Sequence, residues 1–301
     1  MLPALQRDHL DVLLVSPRNP LNIGAAARAM ANFGFERLSI VAPFATNWME
    51  AKSAVGAPEL LRHAQVFDTL AEAVRDATLV IGTGSLDRRR PEQALLGLPE
   101  AATLIRETLA AAENQLAPDQ ATPGQATPDK PTPGHAKASR VALLFGSEKH
   151  GLTSEDLTWC HAMLTIETSE AQPSMNLGQS VAVVLYEISR LISSPASAVV
   201  RDVADSHIST SNLAGQGIAR ASSDGFPTAD LASSEQLDRL ALLIEETMAA
   251  VNYQTRGLRS ANGHALRILL RRLMPRDSDL RRIMGLFRRI LWQLQYRSAS
   301  K

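Results

Sequence analysis

Four short stretches of this chain place polar or small residues where a backbone turn would expose them. The first is Asn22-Ile23-Gly24-Ala25-Ala26-Ala27-Arg28, an amide and a guanidinium close to two helical turns apart, with small residues between them that allow close approach. The competing reading is a surface arginine on an alanine-rich packing helix. The second, Gly82-Thr83-Gly84-Ser85, ends an apolar run and suits backbone contacts with a ligand. Leu86-Asp87 break the dinucleotide fingerprint there, so a plain tight turn competes. The third, Gly146-Ser147-Glu148-Lys149-His150-Gly151, sets two glycines around a carboxylate and a cation, which could bind a ligand or simply be solvated. The fourth, Ser174-Met175-Asn176, precedes a long amphipathic segment. Backbone N–H groups at a helix start lack intrahelical partners, so Ser174 or Asn176 can cap the helix, contact a ligand, or do both.

Other chemistries find less support. Cys160 and His161 are adjacent and point in different directions on any regular element, which argues against a nucleophile pair and for a buried packing thiol. No H-E-x-x-H or C-x-x-C spacing occurs, and no metal is expected. A single cysteine excludes an internal disulfide framework and fits a reducing compartment. The formal charge is zero, yet eleven arginines lie between Arg256 and Arg297 against Asp277 and Asp279 only, which points to a polyanionic partner. No run reaches the length of a membrane span and no signal segment is recognisable, so a cytoplasmic location is expected.

The elements that must carry these stretches alternate. Strand-like runs at Asp11–Ser16, Leu38–Val41, Gln65–Phe67, Thr78–Ile81, Val141–Phe145 and Ala162–Ile166 are interleaved with helical segments. One helix runs from an N-cap at Asn22 to a stop at Gly34; others cover Leu70–Asp76 and about Pro99–Asn114, and a long one opens at Ser174-Met175-Asn176. The pattern predicts an α/β domain over residues 1–192 with a mostly parallel sheet, whose ligands bind beyond the carboxyl ends of the strands. Pro-rich Ala117–Ser139 reads as an insertion and Ser193–Ala232 as a linker. A basic helical domain follows over 233–301, opened by a capping box at Ser233–Gln236. In Arg281–Leu294 the apolar Ile283, Leu286, Phe287, Ile290, Leu291 and Leu294 are expected on a core face, opposite Arg281, Arg282, Arg288 and Arg289.

In this order, Asn22…Arg28, LLFGSEKHGL at Leu143–Leu152 and SMNLGQSVAVVLYE at Ser174–Glu187 resemble the three motifs of the SpoU/TrmH family within the SPOUT superfamily of RNA methyltransferases. The resemblance spans about Leu10 to Leu191, and the helical tail resembles that of the tRNA (cytidine/uridine-2′-O-)-methyltransferases. It implies a sheet domain ending in a deep trefoil knot, a small C-terminal all-α domain and a homodimer. It also implies S-adenosylmethionine held by Thr83, Gly84, Ser85, Gly146, Ile166, Pro173, Ser174 and Met175; Met175 replaces a leucine common in the family. The implied reaction is 2′-O-methylation of a cytidine or uridine ribose in the tRNA anticodon loop. Ribosomal RNA as substrate, or an RNA-binding protein that has lost activity, are the alternatives. By position Arg28 is the catalytic arginine, acting either as a deprotonated base or as a cation stabilising the alkoxide, while Asn22, Glu148, Ser174 and Asn176 orient it or the ribose. Arg281, Arg282, Arg288 and Arg289 would hold RNA backbone in a salt-sensitive way. The Pro-rich insertion departs from the compact family domain.

Overall fold

The computed structural model describes residues 4–44, 57–84, 91–116, 140–192, 230–251 and 259–299. The expected insertion, Ser85 and most of the expected linker lie outside the described residues. In chain order the first half comprises α1 (Ala4–Arg7), β1 (Leu10–Val15), α2 (Pro20–Phe33), β2 (Leu38–Val41), α3 (Pro58–Arg62), β3 (Gln65–Phe67), α4 (Leu70–Ala73), β4 (Leu79–Thr83) and β5 (Ala94–Leu96). It continues with α5 (Leu98–Leu116), β6 (Val141–Phe145), α6 (Ser154–Leu157), β7 (Ala162–Leu164) and α7 (Leu177–Ile192). The last part is α8 (Ser234–Ala250), α9 (Arg259–Leu273) and α10 (Asp277–Ala299).

The seven strands form one sheet in the order β3-β2-β1-β6-β4-β7-β5, with every pairing parallel. Central strands are buried on both faces, which is why β1 reads LDVLLV and β6 VALLF rather than alternating with polar residues. Successive side chains still divide between faces. Val12 and Leu14 join a core with Ile23 and Met30 of α2, Leu104 of α5 and Leu185 of α7, while Leu13 and Val15 join Leu70, Val80, Trp159 and Met163 on the other side. The α7 residues Val181, Val184, Leu185 and Ile188 are each at most 1% exposed. At roughly 1.5–3 kcal/mol per side chain, their burial anchors the helix that closes the domain.

Local caps differ from the expected ones in a useful way. The α2 N-cap is Asn19, whose side chain accepts from the Leu21 N–H, and Pro20 occupies the first turn. Asn22 therefore lies inside the helix, where its amide is free to do something else. Gly34 ends α2 with φ of 73°, as the sequence predicts. The strand expected to reach Ile166 stops at Leu164, and α7 begins at Leu177 rather than Ser174, so residues 165–176 form a longer connection than the periodicity suggested.

Helices α8 to α10 share a smaller core of Leu237, Leu240, Ala241, Leu270 and Leu280. The expected capping box is present, with Ser233 accepting from the Gln236 N–H. The expected core face of α10 is divided by the structure. Leu280 and Leu291 are buried and Met284 and Phe287 are partly buried, but Ile283, Leu286 and Ile290 are 38%, 58% and 39% exposed. The apolar residues cover more arc than one neighbour can bury, and α8 packs against the arc of Leu280, Met284 and Phe287. Arg281, Arg282, Arg288 and Arg289 are exposed, as expected.

These helices dock on the sheet. The Ser234 and Glu235 N–H groups donate to the carbonyls of Ala77 and Arg75, and Arg75 pairs with Glu235 at 2.9 Å. Arg271 of α9 is fully buried with its guanidinium 4.7 Å from the Trp159 ring centroid. Its Nε donates to the Trp159 carbonyl at 3.1 Å, and one terminal nitrogen is buried without a partner among the described residues. Burial lowers its pKa to about 10. The aromatic face returns about 2 kcal/mol, less than the several kcal/mol that desolvating an ion costs. We therefore expect Arg271→Met to leave the Tm unchanged or raise it, and Arg271→Ala to lower it by opening a void. A clear drop in Tm for the methionine variant would show that the guanidinium contributes net stability.

Candidate active site

The carboxyl ends of β4, β6 and β7 open into a cavity of about 410 Å³, a size typical of small-molecule sites. Thr83 and Gly84 line it from β4 and Gly146 from β6, while Ile166, Pro173, Ser174 and Met175 line it from the connection between β7 and α7. Seven of the eight residues proposed for the cofactor thus meet in one place; the eighth, Ser85, is outside the described residues. Lys149, His150, Met163 and Thr168 also line the cavity. Lys149 and His150 belong to the third polar stretch, whereas sequence spacing did not single out Met163 and Thr168, whose place depends on how the loops fold over the strand ends.

At the rim a hydrogen-bonded chain joins three of the polar stretches. One Glu148 oxygen accepts the Arg18 N–H at 2.9 Å, and the other accepts the Asn19 N–H and the Asn22 amide, both at 3.0 Å. Because a carboxylate only accepts, Asn22 must turn its NH₂ toward Glu148, leaving its oxygen to accept the Asn176 amide at 2.8 Å. The Asn176 oxygen then accepts the Gly178 N–H at 2.9 Å, so this side chain helps cap α7 while belonging to the network. Burial pushes the Glu148 carboxyl upward, but the bonds from Asn22 and the backbone N–H groups outweigh it and hold the pKa below its ordinary value. The group is ionised at neutral pH with its lone pairs engaged, which makes it a clamp on the loop after β1 rather than a proton carrier. The backbone of Arg18 and Asn19 was not foreseen; the only trace in the sequence is the polar Pro17-Arg18-Asn19-Pro20 loop itself.

Arg28 is not brought to this cluster. It lies on an exposed part of α2, turned about 240° and displaced about 9 Å along the axis from Asn22 by helical geometry, and it makes no hydrogen bond or ion pair among the described residues. Ser174 lines the cavity next to the network. Cys160 is buried, with its thiol pushed up to about 12 by desolvation, and His161 is pushed down to about 3 by burial while its Nδ1 accepts the Val80 N–H at 3.0 Å. Both are packing groups. A larger cavity of about 780 Å³ lies at the amino ends of the strands. It is on the side of the sheet where ligands are not expected, and its Asp11 is already paired with Arg37 and Arg140.

The glycines separate internal needs from external ones. A Cβ on Gly146 would lie 2.1 Å from the Gly151 carbonyl carbon, and one on Gly82 would lie 2.7 Å from Met163 Sδ. A Cβ on Gly178 would fall 2.6 Å from that of Ala25, so the small residues of α2 serve the approach of α7. On Gly84 the nearest atom is Met163 Cε at 3.6 Å, an ordinary contact. Accordingly, Gly84→Ala should unfold within about 0.5 kcal/mol of the wild type, whereas Gly146→Ala should lose about 2 kcal/mol or more, as read from chemical denaturation. Equal losses would refute this division. Glu148→Gln should speed hydrogen exchange at the Arg18 and Asn19 amides. Since the folded pKa is depressed, the clamp is fully present above the usual carboxylate value and is lost as pH falls through the folded one, so acid should release the same amides in the wild type. Unchanged exchange in the variant would remove Glu148 from this role.

Comparison with known proteins is consistent with this geometry. The chain is 36% identical over 182 residues to the tRNA (cytidine/uridine/adenosine-2′-O-)-methyltransferase TrmJ of Pseudomonas aeruginosa, covering 60% of each protein. It is 32% identical over 180 residues to the tRNA (cytidine-2′-O-)-methyltransferase TrmJ of Methanocaldococcus jannaschii, covering 60% of this chain and 66% of that protein. The matched region thus spans less than two thirds of these relatives. The crystal structure of TrmJ from Z. mobilis ZM4 superposes with a TM-score of 0.66 over 93% of this chain and 98% of that one at 24% identity, a likeness of fold. The model of the SpoU rRNA Methylase family matches residues 9–186, more than half of the chain. The protein belongs to the SpoU rRNA Methylase family.

Proposed function

We propose that this protein is an S-adenosylmethionine-dependent RNA ribose 2′-O-methyltransferase whose substrate is a cytidine or uridine of the tRNA anticodon loop. The observation that carries the reading is the Glu148–Asn22–Asn176 chain, which gathers the family's three motifs at the rim of one cavity. The tRNA methyltransferases among the relatives favour tRNA over the ribosomal RNA of the family's description. No helix among the described residues is long and apolar enough to cross a membrane, and a cytoplasmic setting follows from the proposed substrate.

The cavity fits the cofactor. A Cβ on Gly84 would make only an ordinary contact, and apolar Ile166 and Met175 line the same cavity as the polar strand ends, a mixture that suits an adenosine with a charged sulfonium. Bound there, the cofactor supplies an electrophilic methyl group. Thr83, Gly84, Gly146, Ile166, Pro173, Ser174 and Met175 would hold it, together with Ser85 from outside the described residues. The chain must align a ribose hydroxyl at the rim and help it lose a proton. Asn22, Ser174 and Asn176 orient the ribose, and Glu148 keeps Asn22 and the loop after β1 in place. Arg28 offers five donors and no acceptor, so it binds the ribose oxygen or an adjoining phosphate and stabilises the alkoxide, while the proton passes to water.

Arg28 needs a second subunit to reach a cavity. Leu21 and Arg28 fall on one stripe of α2, and Leu21 and Tyr186 of the neighbouring α7 are 55% and 54% exposed, which favours a homodimer packed through this face. The domain organisation we propose is a knotted sheet domain over 1–192, with its insertion at 117–139, a linker over 193–232 and the helical tail over 233–301. In the tail Arg281, Arg282, Arg288 and Arg289 hold RNA phosphates.

The test is radiolabelled methyl transfer to bulk tRNA and to ribosomal RNA; transfer to neither, with the cofactor bound, overturns the enzyme reading. Arg28→Ala should abolish transfer and leave cofactor binding intact. Mixed and re-equilibrated with a cavity-blocked Gly84→Trp chain, itself inactive, it should recover roughly a quarter of the wild-type rate, because half of the dimers then hold one intact composite site. No recovery would place Arg28 in its own chain's site or nowhere.

A further inference from the structure

The face of α10 that carries the arginines also carries two large aromatic rings. Trp292 and Tyr296 are 58% and 63% exposed, stacked on each other with centroids 5.5 Å apart and planes 20° from parallel. At 100° per residue, Arg281, Arg282, Gly285, Arg288, Arg289, Trp292 and Tyr296 share an arc of roughly 120°, away from Leu280, which joins the core with α8. The helix does not need these rings for its own core.

Gly285 is a second and independent sign. It lies inside a 23-residue helix, where a glycine costs about 1 kcal/mol relative to alanine. A Cβ there would meet nothing within 4 Å, so no neighbour among the described residues requires its smallness. It leaves bare backbone in the middle of the arginine and aromatic face, a gap that suits something approaching from outside. Arg281 and Arg282 are shared with Asp277 at 2.7 Å and Asp279 at 3.3 Å, whereas Arg288 and Arg289, which flank the gap, form no ion pair among the described residues.

We propose that Trp292 and Tyr296 form a platform on which an unpaired base of the RNA substrate stacks, with the sugar-phosphate backbone passing over Gly285 between Arg288 and Arg289. Cations alone suit any polyanion, but exposed stacked rings among them suit single-stranded nucleotides in particular, because every base presents a π-face and duplexed bases do not. The platform reads strandedness rather than sequence. The inference rests on the reading of the protein as an RNA enzyme.

The test measures affinity of the full chain for tRNA and for a short unpaired oligoribonucleotide across a range of salt concentrations. Trp292→Ala with Tyr296→Ala should weaken binding of both about ten-fold or more, with the salt dependence unchanged, while Trp292→Phe with Tyr296→Phe restores most of it. Arg288→Ala with Arg289→Ala should instead flatten the salt dependence. Gly285→Ala should weaken RNA binding while raising the thermal stability of the tail. An oligonucleotide of abasic sites should bind the wild type and the double alanine variant equally. If the alanine pair binds RNA like the wild type, the platform is wrong; so it is if those changes only dissolve a contact between copies, seen as altered sedimentation with RNA affinity intact. If the wild type binds no RNA at all, the failure belongs to the functional reading.

Discussion

One carboxylate holds the rim together. Glu148 sits at the end of a central strand and satisfies donors from a loop well over a hundred residues earlier in the chain. Its burial is unfavourable by itself, and the balance is tipped by the backbone N–H groups of Arg18 and Asn19 and the Asn22 amide. Because the charge can only accept, it sets the orientation of each amide outward to Asn176 and the first turn of α7. A neutral group of the same shape would leave that order unspecified. The polarity of the whole rim is thus a consequence of one ionisation.

The small residues around the rim show where space is used. Gly82, Gly146 and Gly178 are crowded by the protein's own atoms, whereas Gly84 is not. Glycines crowded by their own chain let the strand ends and α7 come close enough for the network to form. Gly84 lines a space left over once that packing is complete. The same residue type around one rim thus has opposite dependencies, internal at Gly146 and external at Gly84.

Much of this was legible beforehand. Uninterrupted apolar runs such as LDVLLV announced a parallel sheet buried on both sides, and turns at the ends of those runs located the cavity walls. The N-cap of α2 was misplaced at Asn22 because Asn19 is followed by Pro20, a combination that starts the helix earlier, and only the structure reveals that Asn22 is needed elsewhere. The arginine face of α10 was legible and its apolar face only in part. Ile283, Leu286 and Ile290 are as apolar as Leu280 and Leu291, and periodicity cannot say which arc the neighbour α8 will cover. The distance of Arg28 from the cluster follows from helical geometry once the Asn22 contacts are known, but those contacts cross loops that spacing does not join.

The order of the strands has a consequence for how the molecule comes into being. β1 is a central strand whose neighbour β6 enters the sheet 131 residues later, Leu10 opposite Val141. During synthesis β1 must wait, paired on one side with β2 at most, until β6, 131 residues further on, has been made. Contacts of such long range form slowly, because loop closure must precede any gain from burial. Through that interval LDVLLV is an apolar strand with an open edge, the kind of surface on which nascent chains aggregate and chaperones act.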